Sequence, residues 1–379
     1  MDMDAYILQE LGRIIERDRA DTTYKYALLR ATADICENYS QHAEHDCGRT
    51  IFPLGLLVDR WLFYYYPIIA CPEFIPQKGS ERPLNEKGKK VSFRKYFEKI
   101  TDHYKGIGDF SQFQNEYETG TFSENMNNDV LDLLRDLKRT IIEYPMKHLG
   151  SMKDDYYRIF KVQEKPRIRE QKVTRKMVIK NLGSFSIPTE YYETLKILGS
   201  YVTGDASILN KWARFTVNAD SEGNVTYEKI MRILTSQPVT DRNVKEAEKL
   251  YKKLQNREVL TCTWSDKLIS KRSKMNIDHL IPFSLTKNND LWNLLPTTMT
   301  TNQRKKAKVP TPEFLREKRR PIMNYWSLMR EEYTNRFDTE IQISLTGFHK
   351  DNVNLEDAFK AVTNWCDRLI SKGFEEWSG

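Results

Sequence analysis

The chain has 379 residues, of which 39% are hydrophobic and 12% aromatic. This length and this apolar content suffice for two or three folded domains, so a disordered protein is excluded. Lysine and arginine outnumber aspartate and glutamate by 60 to 53, so the net charge of +7 is modest. The stretch closest to a membrane span, residues 51–71, contains Asp59, Arg60 and two prolines, so no span is predicted.

The cysteines give no sign of a disulfide or zinc framework. There are five, scattered along the chain without a CxxC pair, and the N-terminus shows no basic segment before a short apolar stretch. We therefore predict reduced thiols, no secretory signal, no membrane association and a cytoplasmic location. Cys36, His42, His45 and Cys47 lie close together, but their spacing fits no strong zinc template.

Residues 1–150 are predicted to be a helical region that binds a target or partner or regulates the protein. Residues 54–66 are apolar on nearly all sides, which predicts a buried helix. A second helix is predicted from apolar residues that recur at helical spacing, namely Val130, Leu131, Leu134, Leu137 and Ile141.

Residues 151–257 are predicted to be a mixed α/β and basic region, and residues 258–379 a third region that ends in helices. Short β-like runs at 156–160 and 177–179 predict strands, and helices are predicted from Thr189, around Trp212 and over 241–256. In the third region, Asn354 is a predicted N-cap for a helix over 355–370. The predicted fold class is mainly α with small β elements, that is, α+β.

Positive charge is concentrated in two windows. Residues 161–180 and residues 300–320 each contain eight basic and two acidic residues, which gives each window a charge of +6. Such concentration is typical of a surface that binds a polyanion, although a solvated charged face would show the same pattern. The candidate nucleic-acid contacts are Arg304, Lys305, Lys308, Lys172, Arg175 and Lys176.

Residues 261–310 contain the side chains best suited to chemistry. A strand over 275–277 is predicted to lead to Asp278 and His279, a second strand follows at 292–296, and a helix begins near Thr300 with Asn302 in its first turn. With an ordinary pKa of about 6.5, His279 suits a general base that activates water.

Two oxygen donors accompany this histidine. Asp278 and Asn302 are hard ligands that suit one Mg²⁺ or Mn²⁺ ion with several waters retained. Asn293 can hydrogen-bond to the backbone and fix the hairpin, and Lys305, one turn beyond Asn302, can reach a phosphate.

This constellation resembles the HNH (ββα-metal) nuclease family, including the HNH domain of RNA-guided CRISPR nucleases. The segments 277–284 and 289–296, and the spacing from His279 to Asn293 and to Asn302, carry the resemblance. It implies a ββα-metal unit that hydrolyses DNA, with His279, Asn293 and Asn302 as the catalytic set. His279 would be the general base, Asp278 and Asn302 would hold one divalent metal, and Asn293 would position His279. Because paired CxxC motifs are missing, no structural zinc clamp is predicted.

The resemblance makes DNA the predicted substrate and restriction or anti-phage defence the predicted role. A partner protein or a homo-oligomer is compatible with the long non-catalytic N-terminal part. Three alternatives remain open at this stage: a catalytically silent nucleic-acid-binding protein, an RNA-directed nuclease, and a nuclease subunit whose partner supplies recognition.

Overall fold

The computed structural model describes residues 7, 9–10, 12–14, 21–83, 90–150, 156–164, 172–203, 208–235, 244–286, 288–348 and 352–379. The chain divides into two compact units, Met1–Val239 and Thr240–Gly379. Helices predominate in both and the sheets are small, so the predicted α+β class is confirmed. Among the described residues, no helix is both long and apolar enough to cross a bilayer.

The first unit consists of helices around a four-stranded antiparallel sheet. The strands β1 (Glu44–Asp46), β2 (Arg49–Pro53), β3 (Lys161–Glu164) and β4 (Ser184–Pro188) lie in the order β1-β2-β4-β3. The described helices are α1 (Tyr24–Asn38), α2 (Leu54–Ile69), α3 (Arg94–Tyr104), α4 (Asp109–Thr119), α5 (Glu124–Ile141), α6 (Arg175–Asn181), α7 (Thr189–Thr203), α8 (Ile208–Ala219) and α9 (Tyr227–Thr235).

This sheet changes the predicted division of the chain. Strand β2 pairs with β4 over its whole length, so residues from the predicted first and second regions share one sheet and one compact unit. The prediction from sequence had placed only helices in residues 1–150. Strands as short as β1 and β2 leave too few residues for an alternating pattern to be recognised.

Helix α2 confirms the predicted buried helix and explains one wrong prediction. Residues 177–179 were predicted as a strand but lie in α6, where the Thr174 hydroxyl accepts a hydrogen bond from the Met177 amide at 3.0 Å and caps the helix. A Cβ at Gly55 would lie 1.9 Å from the Val178 carbonyl oxygen, so α2 and α6 meet backbone to backbone. Burial on several sides removes the periodicity that separates a short helix from a strand. Residues 156–160 do not form a strand either, since β3 begins at Lys161.

A buried carboxylate ties α2 to α6. Asp59 is completely buried and accepts hydrogen bonds from Arg60 at 2.7 Å, from Arg175 at 3.2 Å and from the Tyr117 hydroxyl at 3.2 Å. Burial alone would raise the pKa of Asp59, but the Arg175 and Arg60 guanidinium groups hold it below its ordinary value. The resulting stabilisation is therefore present at neutral pH and is lost when acid protonates the carboxylate.

We expect Asp59→Ala to lower the free energy of unfolding by about 3–5 kcal/mol, because two guanidinium groups would lose their buried partner. Urea unfolding followed by circular dichroism measures this. Asp132→Ala is the matched control, because Asp132 pairs with Arg135 at 3.0 Å on the surface and such pairs contribute less than about 1 kcal/mol. Equal losses in the two variants would contradict the structural role of Asp59.

The second unit contains a β-hairpin, a short parallel strand pair and several helices. Strands β5 (Met275–His279) and β6 (Leu294–Thr298) pair antiparallel, and β7 (Val309–Pro310) pairs parallel with β8 (Glu376–Trp377). The described helices are α10 (Lys245–Asn256), α11 (Phe283–Thr286), α12 (Met299–Lys305), α13 (Pro312–Glu317), α14 (Arg319–Ile341) and α15 (Leu355–Ser371). The Asn354 side chain accepts a hydrogen bond from the Glu356 amide at 2.8 Å, which confirms the predicted N-cap.

The second unit has its own hydrophobic core. Buried side chains from α10, the hairpin, α14 and α15 join in one cluster. The Trp326 indole donates a hydrogen bond to the Trp292 carbonyl at 2.7 Å, and the Trp365 ring lies 6.1 Å from that of Trp292. The predicted packing of the C-terminal helices against the strand–strand–helix segment is therefore confirmed.

Candidate active site

The candidate site is built on the hairpin β5–β6 and on helix α12, which follows β6 without a break. Asp278 pairs with Leu295 and His279 with Leu294 in the hairpin register. The Thr298 hydroxyl accepts a hydrogen bond from the Thr301 amide at 3.3 Å and caps α12. The predicted strand–strand–helix order is therefore present, and it places Asp278 and His279 at the last two positions of β5.

Asp278 is held by two donors on one of its oxygens. The Trp264 indole nitrogen donates to Asp278 Oδ2 at 2.8 Å, and Lys305 Nζ lies 3.1 Å from the same oxygen. The aspartate is 3% exposed. Sequence reasoning missed Trp264 as a partner, because it lies 14 residues before Asp278 and outside the strand–strand–helix segment.

Lys305 forms part of the interior of the site. Its side chain is completely buried, and Nζ also donates to the His279 carbonyl oxygen at 2.7 Å. The ring centres of Trp264 and Trp377 lie 5.7 and 5.9 Å from the ammonium nitrogen. The predicted phosphate contact by Lys305 is therefore contradicted, since the ammonium instead joins α12 to the end of β5.

His279 is covered in this structure. It is 1% exposed, its ring centre lies 5.2 Å from that of Phe283, and its Nε2 lies 3.1 Å from Asn289 Oδ1. An amide oxygen only accepts hydrogen bonds, so this contact is a hydrogen bond in the tautomer that carries the hydrogen on Nε2, in which Nδ1 is the basic nitrogen. Asn289, which sequence reasoning missed, therefore fixes which nitrogen can take a proton.

Asn293 fastens the chain immediately after His279. Its side chain is fully buried, accepts from the Ile281 amide at 2.8 Å, and donates to the carbonyl oxygens of Ile281 at 3.1 Å and Asn288 at 3.2 Å. Its own carbonyl accepts from the Leu280 amide at 2.8 Å. These four bonds hold the turn that follows β5, so Asn293 acts on His279 through the backbone.

Asn302 and Asp278 supply the oxygen donors that suit a metal ion. Asn302 is half-buried and precedes Lys305 by three residues, which places both on one face of α12. Within the described residues, neither the Asn302 side chain nor Asp278 Oδ1 makes a hydrogen bond. One carboxylate and one carboxamide oxygen fit a hard divalent cation that keeps several waters.

Nitrogen and sulfur ligands do not gather in the same way. Across the described ranges, no group of three His, Cys, Asp or Glu residues could hold a metal ion.

The other predicted nucleic-acid contacts are dispersed. Arg304 is exposed and donates to the Gly379 carbonyl at 3.4 Å, whereas Lys308 pairs with Glu375 at 2.5 Å. Arg175 belongs to the Asp59 network, which contradicts a free phosphate contact there. Lys172 is exposed and Lys176 half-buried, both in the first unit. Residues 165–171 of the first basic window lie outside the described residues.

Two family models match different parts of the chain. Residues 262–311 match the family model described as HNH endonuclease, so the chain carries an HNH nuclease domain, and the resemblance seen in the sequence is confirmed. Residues 4–234 match a second model, described as a domain of unknown function (DUF8808). That match spans more than half of the chain, and the protein belongs to this family. No curated protein and no solved structure matches the chain significantly.

Proposed function

We propose that the protein is a metal-dependent endonuclease that hydrolyses DNA phosphodiester bonds. The observation that carries the proposal is the junction at the end of β5, where Lys305 bonds both Asp278 and the His279 carbonyl. This junction holds α12, the helix that carries Asn302, against Asp278 and His279. This contact between α12 and the end of β5 supports the proposal that a base and two oxygen donors act together in this unit.

His279 would act as the general base. Its Nδ1 takes a proton from the attacking water, while Asn289 holds Nε2–H and Asn293 holds the backbone behind the ring. Asp278 and Asn302 would hold one divalent ion, Mg²⁺ or Mn²⁺, which when bound stabilises negative charge on the phosphate and the leaving oxygen. One such site cuts one strand in each event.

Catalysis requires the site to open. His279 and Asp278 are almost fully buried, so a phosphodiester reaches Nδ1 only after neighbouring side chains move. Phe283 and Asn289 contact the ring and are themselves half-buried, so they are the side chains that we propose to move on DNA binding.

A plasmid assay tests the function. We expect the full chain to convert supercoiled plasmid to open circles in ~5 mM MgCl₂ and to lose this activity completely in EDTA. EDTA can remove the ion because Asp278 and Asn302 would be its only two protein ligands, which leaves it exchangeable. Agarose gels measure the product. Digestion of RNA under the same conditions shows whether the protein cleaves DNA or RNA. Cleavage that persists in EDTA, or no cleavage of any DNA form, would contradict the proposal.

For the biological role we propose restriction or anti-phage defence in the cytoplasm, with residues 4–234 recognising a target or partner. This step rests on analogy with the HNH family. The same assay with phage genomic DNA as the substrate, and with co-purified partners added, extends the test to the alternative in which a partner supplies recognition.

A further inference from the structure

An exposed loop beside the candidate active site carries basic residues that are not among the nucleic-acid contacts predicted from the sequence. The basic loop, defined here as residues 266–274, contains four cations and one acid, and all four cations are exposed: Lys267, Lys271, Arg272 and Lys274. Asp266, the single acid, is already paired with Lys318 at 2.5 Å. The loop therefore presents a net positive surface.

Most of these cations have no acidic partner. Lys271 lies 3.8 Å from Glu258, whereas Lys267, Arg272 and Lys274 form no ion pair with any described residue. Two of the three basic residues predicted from sequence in the second unit behave differently, because Lys305 and Lys308 pair with Asp278 and Glu375. Unpaired cations on the surface are the ones able to release counterions from a polyanion.

Several hydrogen bonds fix the backbone of the basic loop. The Cys262 amide donates to the Lys267 carbonyl at 2.8 Å, and the Ile269 amide donates to the Leu260 carbonyl at 2.8 Å. The Gln255 side chain of α10 donates to the carbonyls of Ser270 at 2.8 Å and Ser273 at 2.9 Å. A fixed backbone lowers the entropy cost of presenting the cations to a ligand.

The position of the loop relates it to the nuclease chemistry. Lys274 directly precedes β5, and Met275 pairs with Thr298, the N-cap of the helix that carries Asn302. Along β5, Met275 and His279 are separated by about 13 Å. The basic loop and the candidate base therefore lie at opposite ends of the same short strand.

We infer that the basic loop binds the DNA backbone on one side of the scissile phosphate. The inference rests on the proposed function and deepens it. Lys267, Arg272 and Lys274 supply charge without reading sequence, because surface ammonium and guanidinium groups contact phosphates of any sequence.

The test measures binding without cleavage. The parent is the full chain with His279→Ala, titrated against a fluorescent DNA duplex by anisotropy at several NaCl concentrations. The loop variant adds Lys267→Gln, Arg272→Gln and Lys274→Gln. The control variant instead adds Lys249→Gln, Lys360→Gln and Lys372→Gln, which remove the same charge from exposed positions on α10, on α15 and directly after α15. Thermal unfolding verifies that all three proteins are folded.

We expect the loop variant to reduce the slope of log affinity against log salt by about 2 to 3, and the control variant to leave it unchanged. Equal slopes in the two variants, or no measurable binding of duplex DNA by the parent, would overturn the inference. Cleavage by the wild-type protein is scored separately. If wild type nicks plasmid while both variants bind alike, only the inference fails; if the loop variant alone loses binding while wild type never cuts, only the proposed function fails.

Discussion

His279→Ala is expected to lower plasmid nicking by about 100-fold to 10,000-fold, the usual contribution of a positioned general base. Nε2 is engaged by Asn289, so loss of the imidazole removes both Nδ1 and the group that Asn289 orients. Initial rates of conversion from supercoiled to open-circle DNA at saturating Mg²⁺ measure the effect.

Two further variants make the His279 result interpretable. His279→Asn fills most of the buried volume and separates loss of the base from loss of packing, because the ring lies against Phe283. His103→Ala removes an exposed histidine in the first unit and should cut at the wild-type rate. A His279→Ala protein that is folded and retains more than about a tenth of the activity would refute a base role at this position.

Lys305→Met is expected to destabilise the second unit by about 3–5 kcal/mol, because the substitution leaves the Asp278 carboxylate buried without its cation. The neighbouring Lys306 is exposed, so Lys306→Met is a matched control that should leave the unfolding free energy unchanged. Urea unfolding followed by tryptophan fluorescence reports the difference, since Trp264 contacts Asp278 directly.

The charge balance of the pair can be tested separately from its packing. In the double variant Asp278→Asn with Lys305→Met, neither side chain of the pair is charged, so part of the lost stability should return. If Lys305→Met is as stable as Lys306→Met, the ammonium group does not stabilise the junction between α12 and β5. That result would contradict the structural role of Lys305 on which the proposed function rests.

The backbone of the candidate site was predictable because its signals are local. The predicted strand leads to Asp278 and His279, and the side chain of Asn354 begins a helix by accepting a hydrogen bond from a backbone amide. The apolar stripe over 355–370 likewise predicts a helix. Each of these signals lies within a few residues of the structure that it specifies.

The partners inside the site were not predictable, because they depend on distant contacts. Lys305 lies between two other basic residues in the sequence. In the structure Lys305 is buried and Lys306 is exposed, because α12 ends at Lys305 and Lys306 has a positive φ of 51°. Trp264 reaches Asp278, and Asn289 reaches His279, across turns whose geometry the sequence does not reveal. Arg175 was misread for the same reason, since Asp59 lies far away in the chain.

The separate hydrophobic core of the second unit has an evolutionary consequence. Because buried side chains from residue 247 to residue 377 pack in one cluster, the determinants of hydrolysis and those of its own packing are inherited together. Recombination near codon 240 would therefore transfer the second unit, together with its own hydrophobic core, to another protein.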